Sequence, residues 1–91
     1  MRPQETNEDA QALAQELALR ALVWTLGEPD RAQRLLDTTG LDPADLRARA
    51  GEPAVLGAVI GFLCNHEPDL VACAEDLGVR PETLAAAGDE M

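Results

Sequence analysis

Six prolines divide this chain, and they limit it to short helices. Proline has no backbone N–H and holds φ near −65°, so it suits the first turn of an α-helix and breaks one elsewhere. Pro29, Pro43, Pro53, Pro68 and Pro81 each open a segment with apolar residues at helical spacing. Gly27, Gly40, Gly51, Gly78 and Gly88 stand where segments should stop, and glycine just past the last turn is the matching stop signal. The punctuation predicts helices over residues 8–26, 29–39, 43–50, 53–64, 68–77 and 81–87. No stretch alternates as a strand does, and β-branched residues never cluster. The expected fold class is all-α, a small bundle of five to six short helices.

Local grammar sharpens the segments. Thr6 with Asp9 resembles a capping box ahead of the first helix. Leu13, Leu17, Ala21 and Trp24 share one face of that helix. Leu19, Leu22, Val23 and Leu26 cover much of the rest, so its second half is expected to be mostly buried. Asp42 is placed to cap the third segment, with Leu41 and Leu46 at the two positions of a hydrophobic staple. The fourth segment is apolar all round (Val55, Leu56, Val59, Ile60, Phe62, Leu63) and belongs at the centre of the bundle.

Two stretches repeat. Glu28-Pro29-Asp30 recurs as Glu67-Pro68-Asp69, and Gly40-Leu41-Asp42-Pro43 with Leu46 recurs as Gly78-Val79-Arg80-Pro81 with Leu84, at a period of 38 to 39 residues. Each copy is a helix, a tight glycine turn and a short stapled helix. The reading is two αα-hairpin repeats around the apolar central helix, with the first helix completing the core. Reuse of one capping grammar by unrelated helices is the plainer account of the same pattern.

The run Ala21-Leu22-Val23-Trp24 with Leu35, then Thr39 through Arg47 and Ala54 through Leu63, resembles a short all-helical Gram-negative bacterial family known as domain of unknown function 3572. The resemblance covers about residues 8–88. It implies fold, compartment and length. It implies no activity and no functional residue.

Length and composition bound the rest. Ninety-one residues make one domain, with 1–5 and 88–91 expected to be flexible. A chain this size buries only about 60–65% of its unfolded surface, so its core is small. The net charge is −10, which repels phosphate backbones and anionic membranes. Lys and Ser are absent, which removes a Schiff-base lysine, a P-loop lysine and a serine nucleophile. Two cysteines are too few for a disulfide-stapled secreted domain. No apolar run approaches the roughly 20 residues a membrane span needs. A cytoplasmic protein without cofactor or metal is expected.

Four constellations of residues bear on function. Cys64, His66 and Cys73, with Asp69, are the soft ligands, but they lack the paired spacing of a zinc site. Cys64 and His66 are two residues apart, so they do not face each other on a helix as a nucleophile and base would, and no enzyme is expected. Residues 31–50 have the burial pattern of a helix-turn-helix, carry Arg31, Arg34, Arg47 and Arg49, and balance to +1. A nucleic-acid-binding factor is therefore the alternative reading, although the would-be recognition helix also carries Asp45. Gly57 and Gly61 form a GxxxG pair, which fits close packing within the fold or a weak homodimer.

The preferred expectation is an acidic protein-interaction or regulatory module. Asp30 and Asp37 are seven residues apart, as are Asp69 and Asp76, so each pair forms one stripe on the outer face of its helix. These stripes suit a partner with a basic face. Arg20 and Trp24, four apart on the first helix, add a candidate contact spot; the plainer account is an exposed Glu16–Arg20 ion pair with the Arg20 stem along the indole, and a lone Trp is more often core.

Overall fold

The structure, a computed structural model, describes the backbone of residues 3–91 and the side chains of residues 9–91. The chain forms α1 (Pro3–Leu26), α2 (Pro29–Thr39), α3 (Pro43–Ala48), α4 (Pro53–Cys64), α5 (Glu67–Leu77) and α6 (Pro81–Asp89), with no strand among the described residues. The all-α expectation holds. All six prolines lie in first turns, Pro3 included. Helix α1 therefore begins five residues before the expected Glu8, and Thr6 lies inside it instead of capping it. Of the expected flexible N-terminal end, residues 1 and 2 lie outside the described residues and 3–5 form the first turn of α1.

The stops are as physical as the starts. Gly40 and Gly78 both have φ 75°, the left-handed region that side chains disfavour, and each turns the chain sharply after its helix. Asp42 caps α3 by accepting a hydrogen bond from the Asp45 N–H at 2.8 Å. Glu28 caps α2 by accepting from the Asp30 N–H at 3.1 Å. His66 precedes α5 but does not cap it with its side chain. Its ring instead stacks on Phe62, with centroids 4.8 Å apart, and its Nδ1 lies 3.1 Å from the Phe62 carbonyl oxygen.

Helices α1, α4 and α6 pack against one another and form the centre. Helix α4 buries Val55, Leu56, Val59, Ile60, Phe62 and Leu63 on one face, but it is not enclosed all round as expected: Ala54, Gly61 and Cys64 on its other side are exposed. The buried stripe of α1 is mostly small: Ala14, Ala18, Ala21, Leu22 and Thr25. Small residues let the helix axes approach closely. Thr25 is fully buried, and its hydroxyl is satisfied by the Ala21 carbonyl at 2.8 Å.

The C-terminal end departs from expectation. Helix α6 continues through Gly88 to Asp89. A Cβ at Gly88 would stand 2.8 Å from Ile60 Cγ2, so glycine is what allows α6 to lie on α4. Met91 packs against the core, with its Cβ 3.2 Å from where a Gly57 Cβ would be. Met91 occupies the notch that Gly57 leaves on α4.

The two repeats are not equivalent. Helices α5 and α6 pack on each other and on α4, whereas α3 makes no extensive contact with any helix. Only Leu46 of α3 is buried. Helix α3 has six residues against nine in α6, too few to reach the centre. The gap it leaves beside α1 and α2 is where the candidate site lies.

Candidate functional site

The second half of α1 is not mostly buried. Leu19 is 43% exposed, Val23 66% and Leu26 42%. With steps of four and three, these residues form one stripe down the helix. They make one wall of a groove of about 440 Å³. Ala32 and Leu36 of α2 and Leu46 of α3 line its other side, and Arg47 is its one charged lining residue. A second groove of about 440 Å³ lies across the same ridge, between Leu19 and Val23 on one side and Trp24, Asp76 and Leu77 on the other. The clue was present in the sequence: α1 carries more apolar residues than a core this small can take. Counting faces without counting core volume placed the surplus inside.

The two acidic stripes fare differently. Asp30 and Asp37 are exposed on α2, and among the described residues Asp37 accepts a hydrogen bond only from the Gln33 amide, at 2.9 Å. Asp69 and Asp76 both reach neighbouring helices: Asp69 is half-buried, whereas Asp76 stays exposed. Asp69 Oδ2 lies 3.3 Å from Arg34 Nη2 with its side chain only 20% exposed. That contact is an ion pair lacking hydrogen-bond geometry, and Oδ2 has no hydrogen-bond partner among the described residues. Asp76 Oδ2 accepts from the Trp24 indole N–H at 2.6 Å.

Trp24 is thus a junction between helices, and it also lines the second groove. The guanidinium over its ring belongs to Arg31, 3.7 Å from the ring centroid, and not to Arg20 as expected. Arg31 Nη2 also donates to the Trp24 carbonyl at 2.8 Å, and Arg31 Nη1 pairs with Glu28 at 3.8 Å. Arg20 reaches toward α5, donating to the Leu77 carbonyl at 3.4 Å. One indole therefore ties α1 to α2 and α5.

Of the four arginines of the nucleic-acid reading, Arg31 and Arg34 are held in these internal contacts. Arg49 pairs with Glu52 at 3.0 Å. Arg47 alone has neither an ion pair nor a side-chain hydrogen bond among the described residues. The set does not form a continuous basic face.

The soft ligands do not converge either. Cys64 is exposed at the end of α4, while Cys73 is buried in α5. Among the described residues, no group of three His, Cys, Asp or Glu side chains is placed to hold a metal ion. No described helix is long and apolar enough to cross a membrane.

Cys73 nevertheless titrates unusually. Burial first, then the charge of Asp76, pushes its thiol up from 9.0 to about 11, with Asp69 adding and Arg31 opposing. A raised pKa keeps the folded thiol protonated where the unfolded one ionises. Stability should therefore be unaffected below about pH 9 and fall as pH rises toward about 11. The chain has no Lys and no Tyr to obscure this window. Thermal melts of Cys64→Ala should drop by several degrees between pH 9 and 11. Those of Cys64→Ala with Cys73→Ala should stay level, and an equal drop in both would show that Cys73 is not the group responsible.

Comparison with known proteins adds one match. The model of a family described as protein of unknown function (DUF3572) matches residues 11–91. No curated protein and no solved structure matches the chain.

Proposed function

We propose that the chain, which belongs to the DUF3572 family, is a small acidic protein-interaction module with no catalysis of its own. It docks its partner in the α1–α2–α3 groove and not along the acidic stripe of α5. One observation carries this reading: Leu19, Val23 and Leu26 stand exposed together beside a groove whose lining is apolar except for Arg47. Contiguous apolar surface of this kind on a small monomer commonly marks a binding site. The nucleic-acid alternative has less support, since only Arg47 of its four arginines is uncommitted and the chain's net charge is −10. Unpaired thiols at Cys64 and Cys73 fit a reducing compartment such as the cytoplasm.

Affinity capture from native cell extract tests the reading, with wild type and Leu19→Gln/Val23→Gln as paired baits. Glutamine keeps helix propensity while removing the apolar anchors. The partner should appear with wild type and fall at least about tenfold with the variant, as expected for loss of two central apolar contacts. Recovery of the same partner at the same level by both baits would remove the groove from consideration.

A further inference from the structure

The first repeat leaves open a place that the second repeat fills with a helix. Helix α6 lies on α1 and α4, while α3, its counterpart, makes no extensive contact with any helix. The second half of α1 therefore keeps Leu19, Val23 and Leu26 uncovered, at i, i+4 and i+7. That is the spacing with which one helix packs its apolar residues against another. From Leu19 to Leu26 the ridge rises about 10 Å, two turns of a helix. The shape therefore suits a helix that lies along α1 and sets its apolar side chains into the groove of about 440 Å³.

Charge narrows the choice. Arg47, in the last turn of α3, is the groove's one charged lining residue, and it is exposed. Among the described residues it has no ion pair and no side-chain hydrogen bond. On the premise that the groove is the docking site, we infer that its occupant is a helix of another protein with an apolar stripe and one carboxylate set beside that stripe to meet Arg47. A guanidinium offers a carboxylate two parallel N–H donors, so this pair is directional as well as attractive. A Lys or Arg at the same point meets a like charge once the docked helix shields Arg47 from water. Further acidic residues on the segment are opposed by the chain's net charge of −10. The occupant thus has one acidic anchor and not an acidic surface. A second copy of this chain would bring another ten negative charges.

Labelled helical peptides of about 18 residues test this, long enough to hold some helix in isolation. All carry a Leu stripe with Gln flanks. One flank residue is Glu, Gln or Lys, and its position is moved turn by turn along the stripe. Fluorescence anisotropy is read near physiological salt, about 0.15 M. At one position Glu should bind at least about tenfold more tightly than Lys, with Gln between them, as a charge-assisted pair requires. At the other positions Glu should gain nothing over Gln. Arg47→Gln should abolish the Glu preference and Arg47→Glu should reverse it. Arg47 is exposed, so both variants keep the fold. Equal binding of Glu, Gln and Lys peptides at every position, lost in Leu19→Gln/Val23→Gln, would overturn the acidic anchor and leave the groove reading standing. A Glu preference that persists in Arg47→Glu would do the same. No binding by any Leu peptide, or binding that survives Leu19→Gln/Val23→Gln, would overturn both. A chain that sediments as a dimer, split by Leu19→Gln/Val23→Gln, would give the groove to a second copy and overturn the inference.

Discussion

Ile60→Asp should leave no folded protein. Ile60 is 1% exposed at the middle of α4 and meets α6 where Gly88 comes closest. A carboxylate there has no cation within the apolar cluster of Ala18, Leu22, Val59, Leu63 and Leu84. Burying an unpaired charge costs several kcal/mol even after relaxation, comparable with a small domain's whole stability of about 5–15 kcal/mol. Far-ultraviolet circular dichroism should show the helical signal lost and no cooperative melt. Ile60→Val, which removes one methylene, should cost only about 0.5–1.5 kcal/mol and keep the melt. A wild-type melt from Ile60→Asp would mean that α4 is not the centre.

The second large effect is at Trp24. Truncation to Ala removes the face beneath Arg31, the N–H that Asp76 accepts and a half-buried aromatic surface. It also exposes a weakness already present, since Arg31 Nε is buried without a hydrogen-bond partner among the described residues. Trp24→Ala should cost about 3 kcal/mol, the low end for large aromatic truncation because the ring is only half buried. Trp24→Phe keeps the ring under Arg31 and loses the donor, so it should cost about 1–2 kcal/mol. Urea unfolding of both variants measures the difference. Equal costs would assign the stability to the Asp76 hydrogen bond alone, and a negligible cost for both would mean that Trp24 does not join the three helices.

These two residues also show what a sequence can and cannot reveal here. Ile60 was legible because the large apolar residues of α4 need cover, although the side made of Ala54, Gly61 and Cys64 stays exposed. The helix starts and turns were legible because proline and glycine act through their own backbones, at Pro43 and Gly40 for example. Contacts between helices far apart in the chain were not. Spacing places Asp69 and Asp76 on one stripe, but says nothing of the Arg34 and Trp24 that meet it. The i, i+4 rule offered Arg20 to Trp24, whereas the turn after Leu26 brought Arg31. The candidate site was missed for a related reason. Leu19, Val23 and Leu26 have core-like chemistry, and the six-residue α3 does not cover them.

The groove exists only if that stripe is surface and not core, and one comparison decides it. Leu19→Gln/Val23→Gln should be melted beside Ile60→Asp in the same buffer. At exposed helix positions, polar substitutions of good propensity stay within about 0.5 kcal/mol each, so the double variant should keep a cooperative transition within a few degrees of wild type. Loss of that transition, as in Ile60→Asp, would place Leu19 and Val23 in the core and contradict the groove.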